Sequence, residues 1–130
     1  MIIVEMMKIT IVCIPSINES GLLSDVSMHF GKTHYFTFIE LEDGEIKRIE
    51  VKRSFGKHGG GSKTPAEIIV DSNIDVLICG NLGPKAASML RDSEIEIFAG
   101  ASGKVKDTLS EWKVGMLPVA DKFSCSREAC

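Results

Sequence analysis

The sequence lacks the marks of a nucleic-acid-binding or membrane protein. Its 15 Lys and Arg residues are outnumbered by 18 Asp and Glu residues. A nucleic-acid binder normally carries a basic stripe, whereas acids and bases alternate here in EDGEIKRIEVKR. No apolar run approaches the roughly 20 residues that span a bilayer, and the N-terminal MIIVEMMK lacks the positive n-region of a signal peptide. We therefore expect a cytoplasmic protein without a nucleic-acid or membrane partner.

The cysteine spacings that define common metal sites are also missing. The chain contains neither C-x2-C nor C-x3-C-x2-C, the spacing with which radical enzymes that use S-adenosylmethionine hold their own cluster. Cys13 lies inside an apolar strand, and we expect it in the core. Cys79 ends a predicted strand, so both a core position and a ligand role remain open. Cys125 and Cys130 form a C-x4-C pair that could bind a soft metal.

The sequence pattern predicts three strands followed by alternating helices and strands. KITIVCIP (8–15) is a continuous apolar run, which is typical of a strand buried on both faces. Apolar and polar residues alternate in Tyr35 to Leu41 and in Glu45 to Lys52, on either side of Asp43-Gly44. This pattern predicts a hairpin. The second hairpin strand is the more polar one, which favours an edge position.

Three helices are predicted after the hairpin. The first helix should start with Thr64 as N-cap, Pro65 at the first position and Glu67 in a capping box. It should end near Asn73. IDVLIC (74–79) is the next strand, and a helix runs from Pro84 through residue 91. EIEIFAG is a short strand, and KVKDTLSEW is the third helix.

This order predicts an α/β, ribonuclease H-like layered fold. Right-handed crossovers place the last two strands parallel to the first, on its far side, which gives a five-stranded mixed sheet of order 3-2-1-4-5 with strand 2 antiparallel. We expect a single domain over residues 1–130, with a core of about 8–117 and a cysteine-containing tail, 118–130. The first strand has no Asp or Glu, so the two-metal chemistry of ribonuclease H enzymes is not expected.

The topology also predicts where a ligand would bind. Strands one, three, four and five run the same way, and ligands of open α/β sheets gather beyond such carboxyl ends. Three of the four loops there lead into helix N-termini, which favour anions. His29, His58 and Cys79 fall on this edge.

The loop GKHGGGSKT does not match a nucleotide-binding P-loop. That motif needs Gly-Lys-Ser/Thr in succession, whereas Ser62 separates Gly61 from Lys63 here. The glycines Gly59, Gly60 and Gly61 could still let the backbone approach an anionic ligand. A flexible connection explains the loop equally well.

Residues 20–40, SGLLSDVSMHFGKTHYFTFIE, resemble the opening of the dinitrogenase iron-molybdenum cofactor biosynthesis domain, of the NifX type. The similarity continues through GGGSKTPAEIIVDSNIDVLICGNLGPKAASML and GKVKDTLSEWKVGML, so that it covers about residues 8–117. By itself, His29 would more often be a hydrogen-bonded turn residue than a ligand. The family histidine of His-Phe-Gly, which maps onto His29, is a proposed cofactor ligand.

The resemblance implies a non-catalytic carrier for an iron–sulfur cluster or an iron-molybdenum cofactor precursor. Such a carrier would work with cofactor-donating and cofactor-receiving proteins. The alternative is a metal-free regulatory or interaction module that binds a protein partner or a small anion at the same edge. The residues expected to contact the cofactor are His29, Phe30, Gly31, Gly59, Gly60, Gly61 and Thr64, and the candidate metal ligands are His29, His58, Cys79, Cys125 and Cys130.

Overall fold

The fold is a mixed sheet with helices on both faces, seen in a computed structural model that describes residues 8–54 and 64–117. The elements are β1 Ile9–Ser16, β2 Tyr35–Glu42, β3 Glu45–Arg53, α1 Pro65–Asp71, β4 Val76–Ile78, α2 Pro84–Asp92, β5 Glu96–Phe98 and α3 Val105–Lys113. The long segment between β1 and β2 contains two 3-10 turns, Gly21–Leu23 and Phe30–Lys32. Among the described residues, no helix has the length and apolar character needed to cross a membrane.

The sheet has the predicted strand order, β3-β2-β1-β4-β5. β2 is antiparallel to both β1 and β3, whereas β4 is parallel to β1 and β5 is parallel to β4. The predicted α/β class, the order 3-2-1-4-5 and the antiparallel strand 2 are therefore confirmed. The carboxyl ends of β1, β3, β4 and β5 lie along one edge, which we call the upper edge.

The β2–β3 hairpin turns at the predicted dipeptide. Asp43 and Gly44 have φ values of 52° and 87°, and two successive positive φ angles are what a two-residue type I′ turn requires. β3 is exposed or half-buried along its whole length, as expected for an edge strand. A register shift opposite residues 40 and 41 of β2 marks a bulge in the ladder.

Local capping chemistry starts the first helix as predicted. The Thr64 side chain accepts a hydrogen bond from the Glu67 N–H at 3.2 Å, and the Glu67 carboxylate accepts one from the Thr64 N–H at 2.8 Å. Helix α1 ends at Asp71, slightly before the predicted end, because the chain turns through Asn73 at a φ of 55°. β4 is also shorter than predicted, spanning 76–78 rather than 74–79.

Two apolar clusters pack against the two faces of the sheet. The cluster on the α1 and α2 face includes Cys13, Phe36, Phe38, Leu77 and Cys79. The cluster on the α3 face contains Val12, Ile14, Ile39, Leu41, Val76, Ile78 and Val105. Successive residues of a strand point to opposite faces, so a sheet covered on both faces needs largely apolar strands, as β1 and β4 are.

Candidate functional site

A cavity of about 570 Å³ opens at the upper edge of the sheet. Three separate segments line it: the turn after His29, the start of α1, and the start and second turn of α2. The lining residues are Phe30, Gly31, Thr64, Pro65, Ala66, Gly83, Pro84, Lys85, Ala86 and Met89. The cavity therefore lies where the topology predicted a ligand site.

Backbone hydrogen bonds hold the His29 segment beside the end of β4. The Asn81 N–H donates to the Met28 carbonyl at 2.9 Å, and the Phe30 N–H donates to the Asn81 carbonyl at 3.2 Å. These bonds form an isolated parallel bridge between His29 and Asn81. The turn that contains the His-Phe-Gly motif is thus attached directly to the loop that leads into α2.

Gly80 makes this attachment possible because the two backbones nearly touch there. A Cβ atom at position 80 would lie 3.0 Å from the Met28 Cα and 3.1 Å from the Met28 carbonyl oxygen. It would also lie 3.3 Å from the Ala101 carbonyl oxygen. All three neighbours are backbone atoms, so none can rotate away. Position 80 therefore requires glycine for space.

We expect Gly80→Ala to lower the free energy of unfolding by about 1–3 kcal/mol, the usual cost of overpacking, and to displace His29. Thermal unfolding and the amide NMR shifts of residues 28–31 measure the two effects. The control is Gly44→Ala, since Gly44 has a positive φ but no atom within 4 Å of an added Cβ. It should lose stability through strain while leaving those shifts in place. Unchanged stability and unchanged shifts in Gly80→Ala would contradict the close contact.

Phe30 anchors the turn in the core. Its side chain is only 2% exposed and packs against Phe36, with ring centroids 6.3 Å apart. The Lys32 N–H donates to the His29 carbonyl at 3.0 Å, and the Thr33 N–H donates to the Phe30 carbonyl at 3.3 Å. The buried ring and these two bonds fix the turn that carries Gly31 to the cavity.

Buried hydroxyl groups connect the same turn to the hairpin. The Thr33 hydroxyl lies 2.9 Å from the Tyr35 carbonyl and 3.2 Å from the Ser16 carbonyl, both possible acceptors for its proton. The Ser54 hydroxyl donates to the Thr33 carbonyl, and the Ser16 and Thr37 hydroxyls are hydrogen-bonded to each other at 2.9 Å. Buried polar groups stabilise a structure when they are paired in this way, so the turn is held from both sides.

The two helix starts give the cavity different chemistry on its two sides. At α1, the capping box already pairs Thr64 with Glu67. At α2, the N-cap is Gly83, which has no side chain to bond the first N–H groups, and Pro84 occupies the first position. The exposed side chain of Lys85 lines this side. An anionic ligand is therefore favoured at the start of α2, where unpaired N–H groups and a cation meet.

His29 directly precedes the turn that lines this cavity. Its side chain is exposed, and it directly precedes the lining residues Phe30 and Gly31 but is not itself in the lining. Within residues 8–54 and 64–117, no group of three or more His, Cys, Asp or Glu side chains could hold a metal ion. A metal-containing ligand in the cavity would have few protein ligands from this part of the chain.

The structure places both described cysteines in the core. Cys13 and Cys79 are fully buried on the face of the sheet covered by α1 and α2. Burial raises the pKa of the Cys79 thiol to about 12, and burial together with the nearby Cys79 raises the pKa of Cys13 well above its usual value. The prediction of a core role for Cys13 is confirmed. The proposed ligand role of Cys79 is disfavoured, because a metal ligand must be an accessible thiolate.

Three of the predicted cofactor contacts, Phe30, Gly31 and Thr64, line one cavity. The exposed His34 immediately precedes β2, and its carbonyl accepts a hydrogen bond from the Ser54 N–H at 2.8 Å. Six predicted site residues lie outside the described residues: His58, Gly59, Gly60, Gly61, Cys125 and Cys130.

Sequence reasoning missed the contribution of α2 to the cavity. Lys85 and Met89 line it, yet neither was predicted as a site residue. The signal was present in GNLGPK (80–85), because a proline at the first helical position marks a helix N-terminus on the predicted ligand edge. Met89 follows Lys85 by four residues and therefore lies on the same side of the helix.

Comparison with known proteins gives a consistent result. The family model described as "Dinitrogenase iron-molybdenum cofactor" matches residues 10–115. The solved structure of a candidate NifB protein from Thermotoga is 27% identical, with a TM-score of 0.71 and coverage of 92% of this chain and 98% of that one. The apo form of the orange protein from Desulfovibrio gigas has a TM-score of 0.75 at 21% identity, with 89% and 97% coverage, and so supports the fold alone. An uncharacterized protein of Methanocaldococcus jannaschii is 29% identical over 94 residues, which are 71% of this chain and 80% of that protein.

Proposed function

Because the chain belongs to the dinitrogenase iron-molybdenum cofactor family, we propose that it is a non-catalytic carrier of an iron–sulfur cluster or an iron-molybdenum cofactor precursor. One observation carries this proposal. The turn containing the His-Phe-Gly motif and the start of α2 line the same cavity, of about 570 Å³, at the upper edge of the sheet. The residues that identify the family and the residues that favour an anion are therefore in one place.

The chemistry of this cavity suits a sulfide-rich, anionic cargo. The imidazole of His29 can ligate iron, and the N–H groups and Lys85 at the start of α2 can interact with bridging sulfides. Phe30, Pro65 and Met89 provide apolar walls. A single imidazole and a set of weaker contacts would hold the cargo reversibly, as a protein that receives it from one partner and delivers it to another requires.

We expect His29→Ala to bind a reconstituted cluster about tenfold or more weakly, since removing even an outer partner of a metal site costs 10–100-fold in affinity. The protein is reconstituted anaerobically with iron and sulfide and then desalted, and bound iron, sulfide and the visible charge-transfer absorption are measured. The matched control is His34→Ala, which removes another exposed histidine five residues away. This control should retain the cluster of the unsubstituted protein.

Two outcomes contradict the carrier proposal. One is the absence of stoichiometric iron and sulfide in the reconstituted parent protein. The other is equal cluster retention in His29→Ala and His34→Ala. Circular dichroism shows that each variant is folded, which separates loss of the ligand from loss of structure.

A metal-free binding module is the second candidate function. The supporting observation is that the described residues form no three-ligand metal group and that both of their cysteines are buried. Such a module would bind a small anion or a partner protein at the start of α2. It predicts no stoichiometric iron in protein purified anaerobically and undiminished partner binding in His29→Ala.

A further inference from the structure

The strand β3 presents a long edge to solvent. It has nine residues and lies at the end of the sheet, whereas the opposite edge strand, β5, has three. Within residues 8–54 and 64–117, β3 is paired only with β2. Backbone N–H and C=O groups along such an edge can pair with a further strand.

The charges of β3 are arranged in a self-complementary order. Six of its nine residues are charged: Glu45, Lys47, Arg48, Glu50, Lys52 and Arg53. Basic residues on an edge normally discourage pairing. Here acids would face two of the four bases, Arg48 and Lys52, if the strand paired with a reversed copy of itself.

We propose that β3 pairs antiparallel with the β3 strand of a second copy of this chain, about a two-fold axis at Ile49. In this register Arg48 faces Glu50 of the second copy, and Glu50 faces Arg48. Further out, where the bulge leaves Lys47 unpaired, Glu45 of each copy faces Lys52 of the other. Opposite charges directly across an antiparallel pair stabilise it, and like charges destabilise it.

Neighbouring registers are less favourable. An axis at Glu50 would place the two Glu50 carboxylates opposite each other and Arg48 opposite Lys52. An axis at Arg48 would place the two Arg48 side chains opposite each other. The bulge in the β2–β3 ladder leaves Lys47 as the extra residue, outside the three central pairs formed by residues 48–50. Charge complementarity therefore selects the Ile49 axis over these neighbours.

Apolar side chains support the same pairing. Ile46 and Ile49 are 41% and 39% exposed. They pair with Leu41 and Ile39 of β2 and so lie on the face covered by α3. At the proposed axis, Ile49 would pack beside Ile49 of the second copy and remove apolar surface from water.

Arg48 and Glu50 are available for contacts between copies. Their side chains are 68% and 47% exposed, and within one chain they approach only to 4.0 Å. Exposed pairs of this kind contribute little to stability, so changing them should leave the monomer folded. The cavity is lined by no residue of β3, so this inference does not depend on the proposed carrier function.

The test uses four proteins in sedimentation equilibrium: the parent chain, Arg48→Glu, Glu50→Arg and the double variant Arg48→Glu/Glu50→Arg. We expect a concentration-dependent parent dimer, because a strand edge is a small interface. Each single reversal creates two like-charge pairs and should raise the dimer Kd about tenfold. The double variant restores both pairs and should return to within about threefold of the parent.

An equimolar mixture of Arg48→Glu and Glu50→Arg provides the decisive measurement. Opposite charges then meet only between unlike chains, so a heterodimer should form while each variant alone is largely monomeric. Thermal unfolding of each variant shows that the fold is retained. A parent protein that remains monomeric at millimolar concentration, dimers unaffected by the reversals, or no heterodimer in the mixture would overturn the proposal. Unaffected dimers would place the interface elsewhere, and a monomer would leave the edge without a second copy.

Discussion

Replacing Phe36 with alanine should lower the free energy of unfolding by about 3–5 kcal/mol, the usual cost of truncating a buried phenylalanine. The Phe36 side chain is fully buried in β2. Its ring centroid lies 6.3 Å from that of Phe30 and 6.1 Å from that of Phe38. The substitution therefore removes the aromatic ring that connects the turn at the cavity to the sheet. Urea denaturation, with the midpoint and slope both fitted, measures the loss.

Phe36→Leu is the matched control for this substitution. It retains most of the apolar volume, and such exchanges usually cost less than about 1.5 kcal/mol. The alanine variant should also lose order around Phe30, detected as shifted amide resonances of the turn. A loss below about 1 kcal/mol in Phe36→Ala would show that Phe36 does not connect the turn to the core.

Raising the pH above 9 should destabilise the protein through Cys13 and Cys79. Burial raises the pKa of Cys79 to about 12 from 9.0, and that of Cys13 well above 9.0. Thiols in the unfolded chain release their protons first, so the stability conferred by the neutral buried thiols is fully present below pH 9. It is lost as the pH rises towards the folded pKa. Each thiol should contribute a decrease of up to about 1.4 kcal/mol per pH unit.

Urea midpoints at pH 8, 9, 10 and 11 measure this decrease. The control is Cys13→Ala/Cys79→Ala, which is less stable at pH 8 because of the volume removed but lacks both titrating groups. All other side chains are common to the two proteins, so the difference between their slopes isolates the two thiols. Equal slopes would show that the two thiols do not control the alkaline unfolding.

The sheet could be predicted from the sequence because its signals are local. Asp43-Gly44 specifies the hairpin, and Thr64, Pro65 and Glu67 specify the start of α1. Once these elements are placed, the handedness of the crossovers leaves few strand orders. The 3-10 turn Phe30–Lys32 could not be predicted, because its position depends on the burial of Phe30 and on hydrogen bonds to Asn81 rather than on periodicity.

The position of the cavity was predictable from the sequence, but its lining residues were less so. Parallel strand topology identified the edge, and Phe30, Gly31 and Thr64 meet there. The direction of Cys79 could not be inferred, because a strand buried on both faces is apolar at every position and shows no alternation. Whether Cys79 points into the core depends on which face of the sheet it lies on. That face is fixed only when β4 pairs with β1 in the folded sheet.

The three walls of the cavity have a consequence for the newly made protein. They come from residues 30–31, 64–66 and 83–89, which lie far apart in the sequence. A ribosome delivers the chain from its N-terminus, and the last wall is complete only after Met89 has emerged. A shorter nascent chain has the histidine motif but no enclosing pocket. The cavity is therefore complete only after most of the polypeptide has been translated.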